Sequence, residues 1–82
     1  MAWRVMASKF WTHENFSYGY MLEQRDASED YRIVKGTYTR YHRMSAVIGT
    51  YSPYGEATRA YDKIIKDAAA RERTRRKEQA QG

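Results

Sequence analysis

Between residues 16 and 25 apolar side chains recur at every second position. Phe16, Tyr18, Tyr20 and Leu22 fall on one face, and Ser17, Gly19, Met21 and Glu23 on the other. Period two with one apolar face predicts a strand with one buried side. Residues 2–8 alternate more weakly and predict a first strand. Residues 9–15, which include Thr12, His13, Glu14 and Asn15, predict a connection. Residues 26–30 are polar and acidic and predict a turn. Beyond them Tyr31, Ile33 and Lys35 oppose Arg32, Val34 and Gly36 in a third strand. Residues 37–43 suit either the end of that strand followed by a turn, or a bulged hairpin. Residues 44–51 predict a fourth strand, with Ala46, Ile48 and Thr50 on one side.

The period then changes. Ser52 and Pro53 read as a helix N-cap followed by proline at the first helical position, where its missing N–H costs nothing. Ala57, Ala60, Tyr61, Ile64, Ile65 and Ala68 follow at helical spacing, with Arg59, Asp62, Lys63, Lys66 and Asp67 on the opposite side. The apolar stripe stops near Ala69. The sequence meets no helix breaker before Gly82, so a helix reaching about residue 78 is expected. Residues 71–77 hold five basic and one acidic group and are expected to find nothing to pack on. The expected fold is α+β: a three- to four-stranded antiparallel sheet with one long C-terminal helix packed on one face. Residues 1–70 would form a single sheet-plus-helix domain, and 71–82 a basic helical extension or tail. One sheet face and two edges are left without cover.

Composition narrows the chemistry. The chain has 82 residues and no cysteine, which excludes disulfides, cysteine-based zinc sites, iron–sulfur clusters and thiol catalysis. His13 and His42 alone do not make a structural metal site, and no cofactor is expected. No apolar run approaches the ~20 residues of a membrane span, and the first ten residues lack the apolar core of a secretory signal. A soluble, cytoplasmic protein without membrane contact is therefore expected. The net charge of +5 favours an anionic partner. Residues 1–58 carry seven basic and six acidic groups, a net of +1, and residues 59–82 eight and four, a net of +4. Tyrosine accounts for eight residues and leucine for one, so tyrosine must supply much of the sheet core, with some rings left over for stacking contacts.

Catalysis finds little support. The glycines are scattered and form no phosphate loop, and no element presents a nucleophile. A His-Glu-x-x-His zinc motif starting at His13 would need a second histidine where Ser17 stands. The expectation is a non-enzymatic protein.

The stretch Ile48-Gly49-Thr50-Tyr51, Ser52-Pro53-Tyr54-Gly55, Glu56-Ala57, Ala60-Tyr61-Asp62 resembles the strand-to-helix corner of Apetala-type (ethylene-response-factor) DNA-binding domains and, more loosely, of phage integrase N-terminal domains. The resemblance covers about a fifth of the chain. It implies a small antiparallel sheet, backed by one helix, whose free face meets the DNA major groove. Those families contact DNA through Arg and Trp on that face. Here the matching part of the last strand carries Ser45 and Val47, and Tyr31 to Lys35 only echoes the family's opening motif.

Two functions are therefore expected in order. The first is a small basic nucleic-acid-binding protein, for DNA above RNA. It would contact the phosphate backbone through Arg32, Lys35, Arg40, His42 and Arg43, with Tyr38 and Tyr41 interleaved, and through Arg71, Arg73, Arg75, Arg76 and Lys77 at the helix end. The alternative is a phage-type protein-binding inhibitor or adaptor that docks on an acidic protein surface. In size and sheet-plus-helix plan the chain looks similar to several anti-CRISPR proteins. A homo-oligomer built through the edge strands or the projecting helix is compatible with either.

Overall fold

A computed structural model of the chain describes the backbone of residues 2–81, and side chains as far as residue 78. Four strands, β1 (Trp3–Thr12), β2 (Phe16–Arg25), β3 (Tyr31–Thr39) and β4 (Arg43–Tyr51), form one antiparallel sheet in the order β1-β2-β3-β4. A single helix, α1 (Tyr54–Gln81), follows. The expected α+β architecture is what the chain adopts. The molecule measures 49 × 29 × 15 Å, thin enough for one sheet and one helix and no third layer.

The core lies between α1 and one face of the sheet. Tyr20, Leu22, Tyr31 and Ile33 meet Ala57, Tyr61 and Ala68, with Ala7, Trp11, Tyr18, Tyr51, Ala60, Ile64 and Ile65 packed around them. The helical stripe expected from the sequence is thus the buried one. Alanine at 57, 60 and 68 lets the helix axis approach, and the tyrosines fill the remaining depth. Tyr61 donates its hydroxyl to the Tyr20 carbonyl at 3.1 Å, which gives the buried phenol its partner. α1 begins where β4 ends, beside the β2–β3 turn, with the Tyr54 and Tyr31 rings 5.4 Å apart. It runs back along the sheet to the β1–β2 turn, where its second half docks.

The opposite face carries no helix. Gly19 and Gly36 stand directly opposite each other there. The Phe10 ring lies over Gly19 and the Tyr38 ring over Gly36, and these two rings are 5.7 Å apart. A Cβ on Gly19 would overlap the Lys9 carbonyl and the Phe10 ring, so this position needs the absence of a side chain rather than any special dihedral angle.

Four details depart from expectation. β1 continues through Lys9–Thr12, where the sequence pattern predicts a connection. A register shift between Val5 and Ala7 moves the inward parity onto Ala7, Lys9 and Trp11 and so blurs the alternation. In β4, a second shift opposite Ile33 and Val34 pairs Gly49 with Ile33 and Val47 with Val34. Ala46 and Thr50 consequently face opposite sides instead of sharing one. The helix begins one residue later than the cap signal suggests: the Pro53 carbonyl accepts from the amides of Glu56 and Ala57 at 3.1 and 3.2 Å, so Pro53 occupies the cap position assigned to Ser52. Finally, Glu72 is only 5% exposed. The packed face of α1 extends a full turn beyond Ala68, into the segment expected to be unsupported. Side chains 79–82, at the end of the expected 71–82 extension, lie outside the described residues.

Candidate nucleic-acid interface

Antiparallel pairing brings two turns to one end of the sheet. Phe16, at the start of β2, pairs with Thr39, at the end of β3, so the β1–β2 turn (13–15) lies beside the β3–β4 turn (40–42). Thr39 fixes the second turn. Its Oγ1 accepts from the amides of Tyr41 (3.3 Å) and His42 (3.0 Å), and its own amide donates to the His42 carbonyl at 2.8 Å. These bonds hold Arg40, Tyr41 and His42 at the surface, with Tyr41 80% exposed. Arg43 follows opposite Tyr38, next to the Phe10–Tyr38 ring pair. A depression of about 700 Å³ runs between the two turns, bordered by Glu14, Asn15, Phe16, Tyr38, Arg40 and Tyr41.

The second half of α1 reaches the same end. Glu72 accepts a short hydrogen bond from the Tyr18 hydroxyl, and His13 Nε2 lies 3.0 Å from Glu72 Oε1. A carboxylate oxygen only accepts, so this Nε2 carries its proton. Arg75 Nη1, 3.5 Å from the same nitrogen, can then be an electrostatic neighbour but not a donor to it. The His13 ring stacks on Phe16 and Tyr18, with centroids 4.8 and 6.0 Å away. The β1–β2 turn is thereby clamped to the helix. A groove of about 690 Å³ separates that turn from Arg75, Arg76 and Glu78.

Two shifted titrations mark the clamp. The Tyr18 phenol is pushed up to about 12, by burial first and then by its hydrogen bond to Glu72 and that group's charge. The Tyr18 hydrogen bond holds the Glu72 carboxyl below the usual carboxylate range. Burial opposes this, and His13 and Arg75 reinforce it.

The twelve residues singled out from the sequence do not form one surface. Arg40 and Tyr41 meet the β1–β2 turn from one side, and Arg75 and Arg76 from the other, whereas His42 and Arg43 are exposed and line neither groove. Lys35 points to the helix side of β3, where it lines a smaller pocket with Arg71 and Arg75. Tyr38 lies on the open face. Arg32 is on that face too, but its charge is committed: Nε is 2.6 Å from Glu23 Oε1 and the guanidinium lies 4.1 Å from the centre of the Trp3 ring. Strand alternation therefore separates Arg32 from Lys35, although three residues apart they read as one cluster. Helical geometry sends Arg73 and Lys77 to the flank of α1 away from Arg71 and Arg75, and neither lines the grooves beside the β1–β2 turn or the pocket at Lys35.

Sequence reasoning missed Glu72, Tyr18 and His13 as a unit. The signal was the helical period itself, because Glu72 follows Ala68 by four and continues the buried stripe. Neither a family model, nor a curated protein, nor a solved structure matches the chain. Among the described residues no helix is long and apolar enough to cross a membrane.

Proposed function

We propose that the protein is a nucleic-acid-binding module that grips the phosphate backbone with one end of its sheet. One observation carries this reading. Arg40 and the pair Arg75 and Arg76, far apart in sequence, converge on the two sides of the β1–β2 turn. Arg40 reaches from one side, and Arg75 and Arg76 from the other. Guanidinium groups are suited to phosphate oxygens because they offer forked donors. Tyr41 adds an exposed ring on which a base can stack. The arrangement supports backbone contact more than base readout, since the open-face positions that read bases in Apetala-type domains hold Ser45 and Val47 here.

Fluorescence anisotropy with a labelled duplex tests the proposal. With about six phosphates neutralised, the log–log salt slope should be about −5. Arg40→Glu combined with Arg76→Glu takes one cation from each side. It should weaken binding strongly and flatten the slope by about 2. Arg75 is a poorer choice, because a carboxylate there would face Glu72. Absence of binding at low salt, or binding insensitive to salt, overturns the reading. High-salt co-purification with one acidic protein and no nucleic acid would favour the inhibitor alternative.

A further inference from the structure

On the helix side of the sheet, Lys35 of β3 and Arg71 and Arg75 of α1 converge on a pocket of about 310 Å³ that Thr37 and the rings of Tyr18 and Tyr20 also line. Among the described residues no acidic side chain lines it. Lys35 and Arg71 make no ion pair among the described residues. Glu72, next to Arg71 in the chain, is engaged by the Tyr18 hydroxyl and His13. It interacts electrostatically with Arg75 and forms no ion pair with Lys35 or Arg71. The floor is firm, because the Tyr18 ring is fixed by Glu72 and carries Lys35 Nζ 5.8 Å from its centre. Like charges brought together without a counterion repel, and the pocket gains most from a ligand that supplies two negative charges.

We propose that this pocket binds a terminal phosphomonoester, the phosphorylated end of a nucleic-acid strand. The inference rests on the nucleic-acid reading above and adds a preference for strand ends. A backbone diester carries one negative charge and two free oxygens. A monoester carries close to two charges and three free oxygens, which matches two uncommitted cations, one shared cation and the Thr37 hydroxyl. The pocket opens beside Phe16 and Arg75, and both residues also border the groove at the β1–β2 turn. A strand lying in that groove can therefore deliver its end to Lys35 and Arg71.

The test compares a short duplex carrying terminal phosphates with the same duplex ending in hydroxyls. The phosphorylated duplex should bind about tenfold tighter, the worth of one or two charge-assisted hydrogen bonds. Lys35→Gln and Arg71→Gln should each erase most of that difference while leaving the hydroxyl-ended duplex far less affected. Both side chains are exposed, so unchanged thermal melts are expected for these variants. Equal affinity for the two duplexes overturns the inference and leaves the backbone-binding proposal standing. Adenosine monophosphate binding as tightly as the phosphorylated duplex also overturns it, by assigning the pocket to a free nucleotide. If neither duplex binds, titration with inorganic phosphate decides the pocket alone. Saturable amide shifts confined to Lys35, Thr37, Arg71 and Arg75 keep the phosphate site, and diffuse or absent shifts remove it.

Discussion

The hydroxyl of Tyr18 on β2 donates to the carboxylate of Glu72 on α1, and this bond ties the charged half of the helix to the sheet. The apolar stripe alone would hold α1 as far as Ala68. Glu72 extends the contact to the β1–β2 turn by engaging Tyr18 and His13 together. The basic residues that follow are therefore presented by a docked helix. Docking lowers the entropy lost when Arg75 and Arg76 engage a ligand.

Removing the carboxylate should test that clamp. Glu72→Ala strands the Tyr18 hydroxyl and the His13 N–H at a closely packed junction, and should cost about 2 kcal/mol. Chemical denaturation at neutral pH measures it. The pH dependence has a definite sign. Because the folded carboxyl titrates below its ordinary value of 4.5, the unfolded chain holds more protons as acid is added, and stability falls as pH drops below that value. Glu72→Gln should lack this part of the acid-induced loss. An acid limb identical to that of the unaltered protein would show that Glu72 contributes nothing there.

The other partner titrates at the opposite end of the scale. Tyr18 has its folded value raised from 10.0 to about 12. Its contribution is fully present below pH 10 and is lost progressively as pH rises towards 12. Ultraviolet titration at the tyrosinate band should show a late-titrating phenol that disappears in Tyr18→Phe. Burial also raises Tyr31 and Tyr61, so the comparison with the variant is what isolates Tyr18.

The two opposed glycines should respond differently to alanine. At Gly19 the new methyl would meet a backbone carbonyl of β1, which cannot move without disturbing the strand pair. Gly19→Ala is expected to cost about 3 kcal/mol. At Gly36 the nearest atom is the Tyr38 hydroxyl oxygen, 3.0 Å away, and that ring can swing outward. Gly36→Ala should cost less than about 1 kcal/mol. Thermal melts of the pair check the contrast, and equal losses would contradict it.

Much of this fold could be read from period alone. β2 and β3 lie in the middle of the sheet, with one face under α1 and regular register between them, so their sequences alternate cleanly. β1 and β4 are edge strands. Each carries a register shift, and each has one side free of a neighbour, which relaxes the pattern and hid Lys9–Thr12 and the true facing of Thr50. The site was legible only as a list of cations. Which cations act together depends on strand parity and on how far the helix is docked on the sheet, and a single charged residue on the stripe, Glu72, decides the latter. A carboxylate there looks like an interruption of the apolar face. Its two hydrogen bonds make it part of the buried surface.

Arg32 gives the last and sharpest check on that sorting. It belongs to the basic cluster by sequence, yet its guanidinium is bound to Glu23 and stacked on Trp3, on the face away from α1. Arg32→Ala should therefore act on stability and not on ligand. A partly exposed ion pair is worth up to about 1 kcal/mol, and loss of the indole contact adds about 0.5–1 kcal/mol. Duplex affinity and salt slope should match those of the unaltered protein, whereas Arg40→Glu with Arg76→Glu lowers both affinity and slope. If Arg32→Ala instead weakens duplex binding by the several-fold expected of a lost phosphate contact, the open sheet face takes part in binding. The interface would then have to extend around the sheet from the end marked by the two turns.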